Sequence, residues 1–149
     1  DHSRESGSSR AGLDPELARP GVSAVDAVTG EVLWSHVQEN VCGEGRPFCD
    51  PGVSAAITAT DGAVIAGHLD GIIRIYDRDS GEIIWSYNTT TPVTGTNGVI
   101  AQGGGMSGSG PALGAGHMVI NSGYGLYNHE AGNALLVFAP KASGSVSAR

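Results

Sequence analysis

Aromatic side chains and charge are both scarce in this chain of 149 residues: Phe, Trp and Tyr together make 5% of it, and Asp, Glu, Lys and Arg 15%. Apolar residues still reach 40%, so a core can form provided Val, Ile, Ala and Leu build it. That palette favours strands, and 24 glycines with 7 prolines argue against a helix bundle. Lysine occurs once, at Lys141, the arginines are scattered and the formal charge is -7. The electrostatic footprint of a nucleic-acid or anionic-membrane partner is therefore missing. No apolar run approaches the ~20 residues a spanning helix needs, and the opening DHSRESGSSRAGLDPE has neither the basic head nor the apolar stretch of a secretory signal. The chain starts with Asp rather than Met, so it reads as processed or excised from something longer, and composition leaves the compartment open.

Cysteine is the other scarce residue. Cys42 and Cys49 stand in CGEGRPFC, where glycine and proline supply a turn that can bring the two β-carbons within about 4 Å. A disulfide is expected. Two free thiols are the plain alternative, and a metal site with His36 and His68 is a third reading, against which the spacing of zinc knuckles argues. The haem-attachment pattern CxxCH does not occur.

Turning to what is present, residues 1–21 read as a polar tail or linker, and 141–149 as a C-terminal tail. Between them, over 22–140, short apolar runs alternate with Gly, Asp and Asn punctuation. Strands are expected at 22–27, 32–37, 54–59, 63–67, 72–77, 82–87, 117–121 and 134–139. In DGAVIAGHLDGIIRIYDRDSGEIIWSYNT, the breaks Asp61-Gly62, Asp70-Gly71 and Asp79-Ser80-Gly81 separate successive strands, as the tight hairpins of an antiparallel meander require. The sequence also repeats: Val25–Ser35 overlays Tyr76–Ser86 at a constant offset of 51, with Asp26/Asp77, Gly30/Gly81 and Trp34/Trp85 matching. A recurring residue points to a scaffold role, because an active site occurs once and a blade contact once per blade. The aspartate accepts turn N–H bonds, the glycine takes a positive φ, and the tryptophan docks between neighbouring sheets. A weaker echo, Gly132–Phe138, resembles Asp70–Tyr76. Repeats of this period holding short strands describe four-stranded blades arranged radially. The expected fold is all-β, a partial β-propeller of four-stranded antiparallel blades, with a small β-sandwich as the alternative. Such a ring needs more blades than this chain holds: one partial blade, one full blade and a broken last one.

The tryptophan repeats AVDAVTGEVLW and IYDRDSGEIIW resemble the blade signature of the quinoprotein alcohol dehydrogenases, which depend on pyrroloquinoline quinone. Cys49–Ala56, Gly103–Pro111 and Val119–Gly125 are similar to the C-terminal part of polyvinyl-alcohol-dehydrogenase-like members. The resemblance covers roughly residues 22–139. It implies an eight-bladed ring, a quinone near the axis with a calcium ion, oxidation of secondary alcohols or a polyol polymer, electron transfer to a cytochrome, and a periplasmic or secreted location. It also implies the remaining blades as partners. A non-catalytic propeller that presents a binding surface is the other function class.

On that resemblance, backbone N–H groups of the glycine-rich Gly103–Gly110 segment, Gly104 and Gly105 foremost, could approach an anionic quinone, with Ser107 adding a hydroxyl. A wide turn crowded by a neighbouring blade is the competing reading. Asn97 and Asn121 are expected at a strand start and end; either could bond a quinone oxygen or, at Asn121, ligate calcium, and either could simply form a turn. His68, Arg74 and His117 alternate with apolar neighbours or cap a strand, which suits solvated or edge positions. Asp50, before the Pro51-Gly52 turn, is the acid to test first, with turn capping as its alternative. The adjacent cysteine pair of characterised quinoproteins is absent, and no aspartate follows Asp79.

Overall fold

The computed structural model describes residues 19–43, 45–124 and 128–140, and these form strands and loops with no helix. Strands β1 (Gly21–Val25) and β2 (Val32–Val37) pair antiparallel. A four-stranded antiparallel sheet follows in chain order: β3 (Thr58–Ala59), β4 (Ala63–Gly67), β5 (Ile72–Asp77) and β6 (Ile83–Asn88). After a short hairpin of β7 (Val93–Thr94) and β8 (Ile100–Ala101), β9 (Ala112–Gly114), β10 (His117–Ser122) and β11 (Ala134–Phe138) make a three-stranded meander. One complete blade is thus flanked by the last two strands of a preceding blade and by three strands of a following one. These are partial propeller blades, and the sandwich alternative falls.

Alternation within the central blade makes it two-faced. Val64, Ala66 and Tyr76 pack with Val22, Val53 and Trp34 toward the preceding blade. Ile65 and Ile73 pack with Met106, Met118 and Ile120, and against Leu136 and Phe138, toward the following one. Period-2 alternation with apolar residues in both registers is what a strand buried on both faces requires.

The offset-51 repeat is a repeat of geometry. Asp26 Oδ1 accepts the N–H groups of Val28 and Thr29 at 2.9 and 2.7 Å, and Asp77 Oδ1 accepts those of Asp79 and Ser80 at 3.0 and 2.8 Å. These donors hold both carboxyls below the usual range, the Thr29 and Ser80 backbone bonds contributing most. Gly30 and Gly81 take φ of 76° and 74°. Each β-bulge also falls at the matching place, between Ala24 and Val25 and between Ile75 and Tyr76.

Several expected boundaries shift. The run at 54–59 shrinks to Thr58–Ala59, because its earlier part bonds to a loop instead of to β4: Ala56 N–H donates to Gly108 O at 3.4 Å. The strand expected at 82–87 lies at Ile83–Asn88, and β1 begins at Gly21. Strands β7, β8 and β9 had no counterpart in the sequence reading, being too short to show alternation. Of the two segments read as tails, 1–18 and 141–149 lie outside the described residues.

Candidate functional site

The glycine-rich segment reaches the seam between the central and following blades, where the end of β6, the β4–β5 turn and the end of β10 converge. Gly103 N–H donates to Thr89 O and Gly105 N–H to Glu130 O, both at 2.8 Å, and Met106 N–H to His68 O at 3.1 Å. Gly104 N–H donates to Ser122 Oγ at 3.1 Å, and that hydroxyl lies 2.8 Å from Gly104 O and 2.6 Å from Thr89 Oγ1. Little space is left: a Cβ on Gly103 would meet Thr89 Oγ1 at 2.4 Å, and one on Gly104 the Glu130 carbonyl at 2.3 Å.

The preceding seam repeats this pattern through different residues. Gln38 N–H donates to Pro20 O at 2.7 Å as Thr89 N–H does to Gly71 O at 3.0 Å, and Leu69 N–H donates to Gly52 O at 2.9 Å as Gly123 N–H does to Gly105 O at 3.3 Å. Asp50-Pro51-Gly52 therefore occupies the place of Gly103-Gly104-Gly105. Asp50 is buried.

Beside this junction lies a buried polar cluster. Arg74 donates to Asp70 in bidentate fashion, at 3.1 and 2.7 Å, and Asp70 Oδ1 also accepts Ile72 N–H at 2.9 Å. His68 Nε2 and the Tyr76 hydroxyl are 2.9 Å apart. Burial pushes His68 down to about 3, with the Arg74 charge adding and the Pro51 backbone opposing. Burial likewise pushes Tyr76 up to about 12, against Arg74. The expectation that His68 and Arg74 are solvated is overturned, since they are 0% and 4% exposed. A hairpin at Asp70-Gly71 folds the Asp70 carboxylate back onto Arg74, and this pairing lets the guanidinium be buried. The Asp70 to Arg74 spacing was the available signal. His117 is exposed, as expected.

Cys42 and Cys49 are bonded to each other, Cα to Cα 5.6 Å, which removes both thiols from the metal reading. Their loop carries Arg46, whose guanidinium bonds Glu130 through Nε at 3.1 Å and through Nη2 at 2.5 Å, and also bonds Asp70 O at 2.8 Å. The disulfide loop is thereby tied to the central and following blades.

The remaining expected site residues are dispersed. Asn97 lies in the β7–β8 turn instead of at a strand start, exposed, its Oδ1 accepting Val99 N–H at 3.0 Å. Asn121 lies in β10 and accepts from Ser109 Oγ at 3.3 Å. Ser107 is half-buried beyond Met106. Trp34 donates from Nε1 to Arg78 O at 2.7 Å and rests on Gly81. Trp85 stacks on Tyr87 and meets Phe138 edge-on, centroids 5.4 Å apart. It borders an apolar groove of about 690 Å³ between the two blades, lined also by Ile65, Leu113 and Met118.

The blade geometry has a counterpart among known proteins. A family model described as outer membrane protein assembly factor BamB matches residues 17–144. The chain belongs to this repeat family. The chain is also similar to dehydrogenases: it is 38% identical over 120 residues to the polyvinylalcohol dehydrogenase of Sphingopyxis sp. (strain 113P3), covering 78% of this chain and 18% of that protein. It is 34% identical over 131 residues to the polyvinylalcohol dehydrogenase of a Pseudomonas sp., covering 81% and 20%. A quinohemoprotein alcohol dehydrogenase of Pseudomonas putida matches at 35% over 71 residues, covering 48% and 10%. The chain thus spans about a fifth of the length of the first two relatives.

A quinone cradled by Gly103–Met106 needs free N–H groups and room for the ring. All four N–H groups are engaged with protein acceptors, and the open sides of Gly103 and Gly104 are filled. Calcium takes six to eight oxygen ligands. Among the described residues no group of three or more His, Cys, Asp or Glu gathers, and Asn121 already bonds Ser109. These residues by themselves fit neither group, and the chemistry they supply is that of a blade junction.

Proposed function

We propose that this chain forms blades from the C-terminal part of a quinone-dependent alcohol dehydrogenase that oxidises secondary alcohols or a polyol polymer and passes electrons to a cytochrome. The observation that carries this reading is the 34–38% identity to two polyvinylalcohol dehydrogenases over 78–81% of the chain. A relative named as a cytochrome c-linked 1-butanol dehydrogenase, 31% identical over 68 residues, supports the electron-transfer part. The redox chemistry would come from pyrroloquinoline quinone with calcium, held in a cavity built mainly by other blades, since the residues of this chain fit neither group. The role of these residues is to hold the wall of that cavity: the Arg46 clamp and the Ser122–Thr89 bond keep adjoining blades in fixed relation, and the Asp70–Arg74 pair pins the β4–β5 turn within the central blade. The Cys42–Cys49 bond supports a periplasmic or secreted location, because structural disulfides persist in oxidising compartments.

A second reading, a non-catalytic propeller scaffold, is favoured by the description of the matching family as an assembly factor and by the fully engaged glycine loop. The two part on one assay. The protein at full length, supplied with quinone and calcium, should reduce an artificial electron-acceptor dye when given secondary alcohols or polyvinyl alcohol. No reduction with a saturating set of alcohols sinks the enzyme reading and leaves the scaffold.

A further inference from the structure

The ring closed by Cys42 and Cys49 lies between β2 and β3, yet it reaches over the β4–β5 turn to the long β10–β11 loop. Arg46 Nε lies 3.1 Å from Glu130 Oε1, and Arg46 Nη2 bonds both Glu130 Oε2 and the Asp70 carbonyl, the latter at 2.8 Å. Glu130 N–H donates to Phe48 O at 3.0 Å, and the Glu130 carbonyl accepts Gly105 N–H at 2.8 Å. One residue of the following blade thus commits its amide and its carboxylate to the ring and its carbonyl to the glycine-rich segment. The ring acts as a strap across the end of the central blade. Its shape depends on the disulfide. Among the described residues no backbone hydrogen bond joins two positions of 42–49, and Gly43, Gly45 and Phe48 have φ of 66°, 92° and 63°. A positive φ is costly for phenylalanine, so the open chain does not favour this path. The Cys42–Cys49 bond, at a sequence separation of 7, removes alternatives and brackets both anchors, Arg46 and Phe48. The two sulfur-bearing residues differ in access: Cys49 is 6% exposed and Cys42 is half-buried.

We propose that this strap is an oxidation-dependent latch: forming the Cys42–Cys49 bond sets Arg46 and Phe48 on Glu130, and opening it frees the β10–β11 loop. Closure is a thiol–disulfide exchange with an oxidant that is itself a disulfide. The thiolate of Cys42, the more accessible of the two, attacks one sulfur of the oxidant and expels the other, giving a mixed disulfide at Cys42. The Cys49 thiolate then attacks Cys42 Sγ, forms the ring and releases the oxidant's second sulfur. Two cysteine thiols are oxidised, one disulfide is reduced to two thiols, and those thiols take up the two protons. A dithiol runs the same exchange backward. The latch follows from contacts within this chain and holds under either functional reading. Strand β5 is the reference that the latch should not touch, because Ile73 and Tyr76 are buried in apolar seams on its two sides.

Amide-resolved hydrogen exchange on the protein at full length tests this, read by mass spectrometry at the Glu130 amide with the β5 amides as reference. In Cys42→Ser/Cys49→Ser the Glu130 amide should exchange at least about tenfold faster than in the oxidised protein, with β5 unchanged. Arg46→Ala should speed the same amide while the disulfide is present and add nothing once it is gone. Equal factors in the two backgrounds, a factor of one included, would overturn the proposal, since the ring would then not act through Arg46. An unchanged Glu130 rate in the double serine variant would also overturn it, as would β5 amides that speed up in step with Glu130. Dithiothreitol on the unmutated protein gives the same reading should the serine variant not fold. With Cys42 and Cys49 shown by alkylation to be reduced, Glu130 should speed up and β5 should not. A ring that dithiothreitol opens only in denaturant would refute exchange through Cys42.

Discussion

Gly30 and Gly81 form a matched pair in which one physical term has been changed, and replacing each with alanine isolates it. Both close the same turn, at φ of 76° and 74°, so each Gly→Ala change carries the left-handed cost of an L residue, about 1–2 kcal/mol. The space above them differs. A Cβ on Gly30 meets nothing within 4 Å, whereas one on Gly81 would lie 2.5 Å from Trp34 Cε3. Trp34 is held by its bond to Arg78 O at 2.7 Å and by stacking on Tyr76 at 6.4 Å, so the indole cannot move away freely. Forcing a methyl into that contact adds about 1–3 kcal/mol of overpacking. Gly81→Ala should therefore cost about 2–5 kcal/mol in urea denaturation followed by tryptophan fluorescence, and Gly30→Ala about 1–2. In a Trp34→Ala background the overpacking part should vanish, leaving the two alanines equally costly. If Gly81→Ala and Gly30→Ala match within about 0.5 kcal/mol in the native background, the tryptophan does not dock on that turn and the blade-locking role fails.

The buried pair is expected to be unforgiving. Arg74→Met leaves the Asp70 carboxylate without its partner in a site 0% exposed and should cost about 3–5 kcal/mol, with Asp70→Asn/Arg74→Met costing less than the single change; a loss under about 1 kcal/mol for Arg74→Met would refute this. His68, pushed down to about 3 from an ordinary 6.5, stays neutral in the fold while the unfolded chain takes up a proton first. Its contribution is therefore complete above pH 6.5 and is lost as pH falls toward about 3, by up to about 1.4 kcal/mol per pH unit. Melting temperatures measured across that range should show a shallower acid slope in His68→Gln, and an unchanged slope would contradict the buried, neutral imidazole.

Legibility in the sequence followed the range of each interaction. The Asp26 and Asp77 turns were readable because their bonds run within three residues, from the N–H groups of Val28 and Thr29 to Asp26 and from those of Asp79 and Ser80 to Asp77. The disulfide ring was readable for the same reason: a sequence separation of 7, with glycine and proline between, leaves few conformations. Strands β4, β5 and β10 announced themselves by apolar alternation or runs. Strands β7 to β9 are two or three residues long and carry no period. The glycine-rich segment shows where local reading stops. Its composition suits both an anion cradle and a crowded turn, and the difference depends on Thr89, Ser122 and Glu130, none of them adjacent to it in sequence.

Local patterning by itself determined the all-β class, the repeat, the turn chemistry and the incomplete blade count, because hairpins and Asx turns are short-range solutions to satisfying the backbone. Only the tertiary structure decided which residues are buried together. Arg46 finds Glu130 across a sequence separation of 84, and Trp34 finds Arg78 across 44. His68 and Arg74, which alternate like surface residues, end up sealed because the blades stack on both sides of β4 and β5. Burial is a property of what packs against a face, and a strand's own alternation does not say how many faces will be covered.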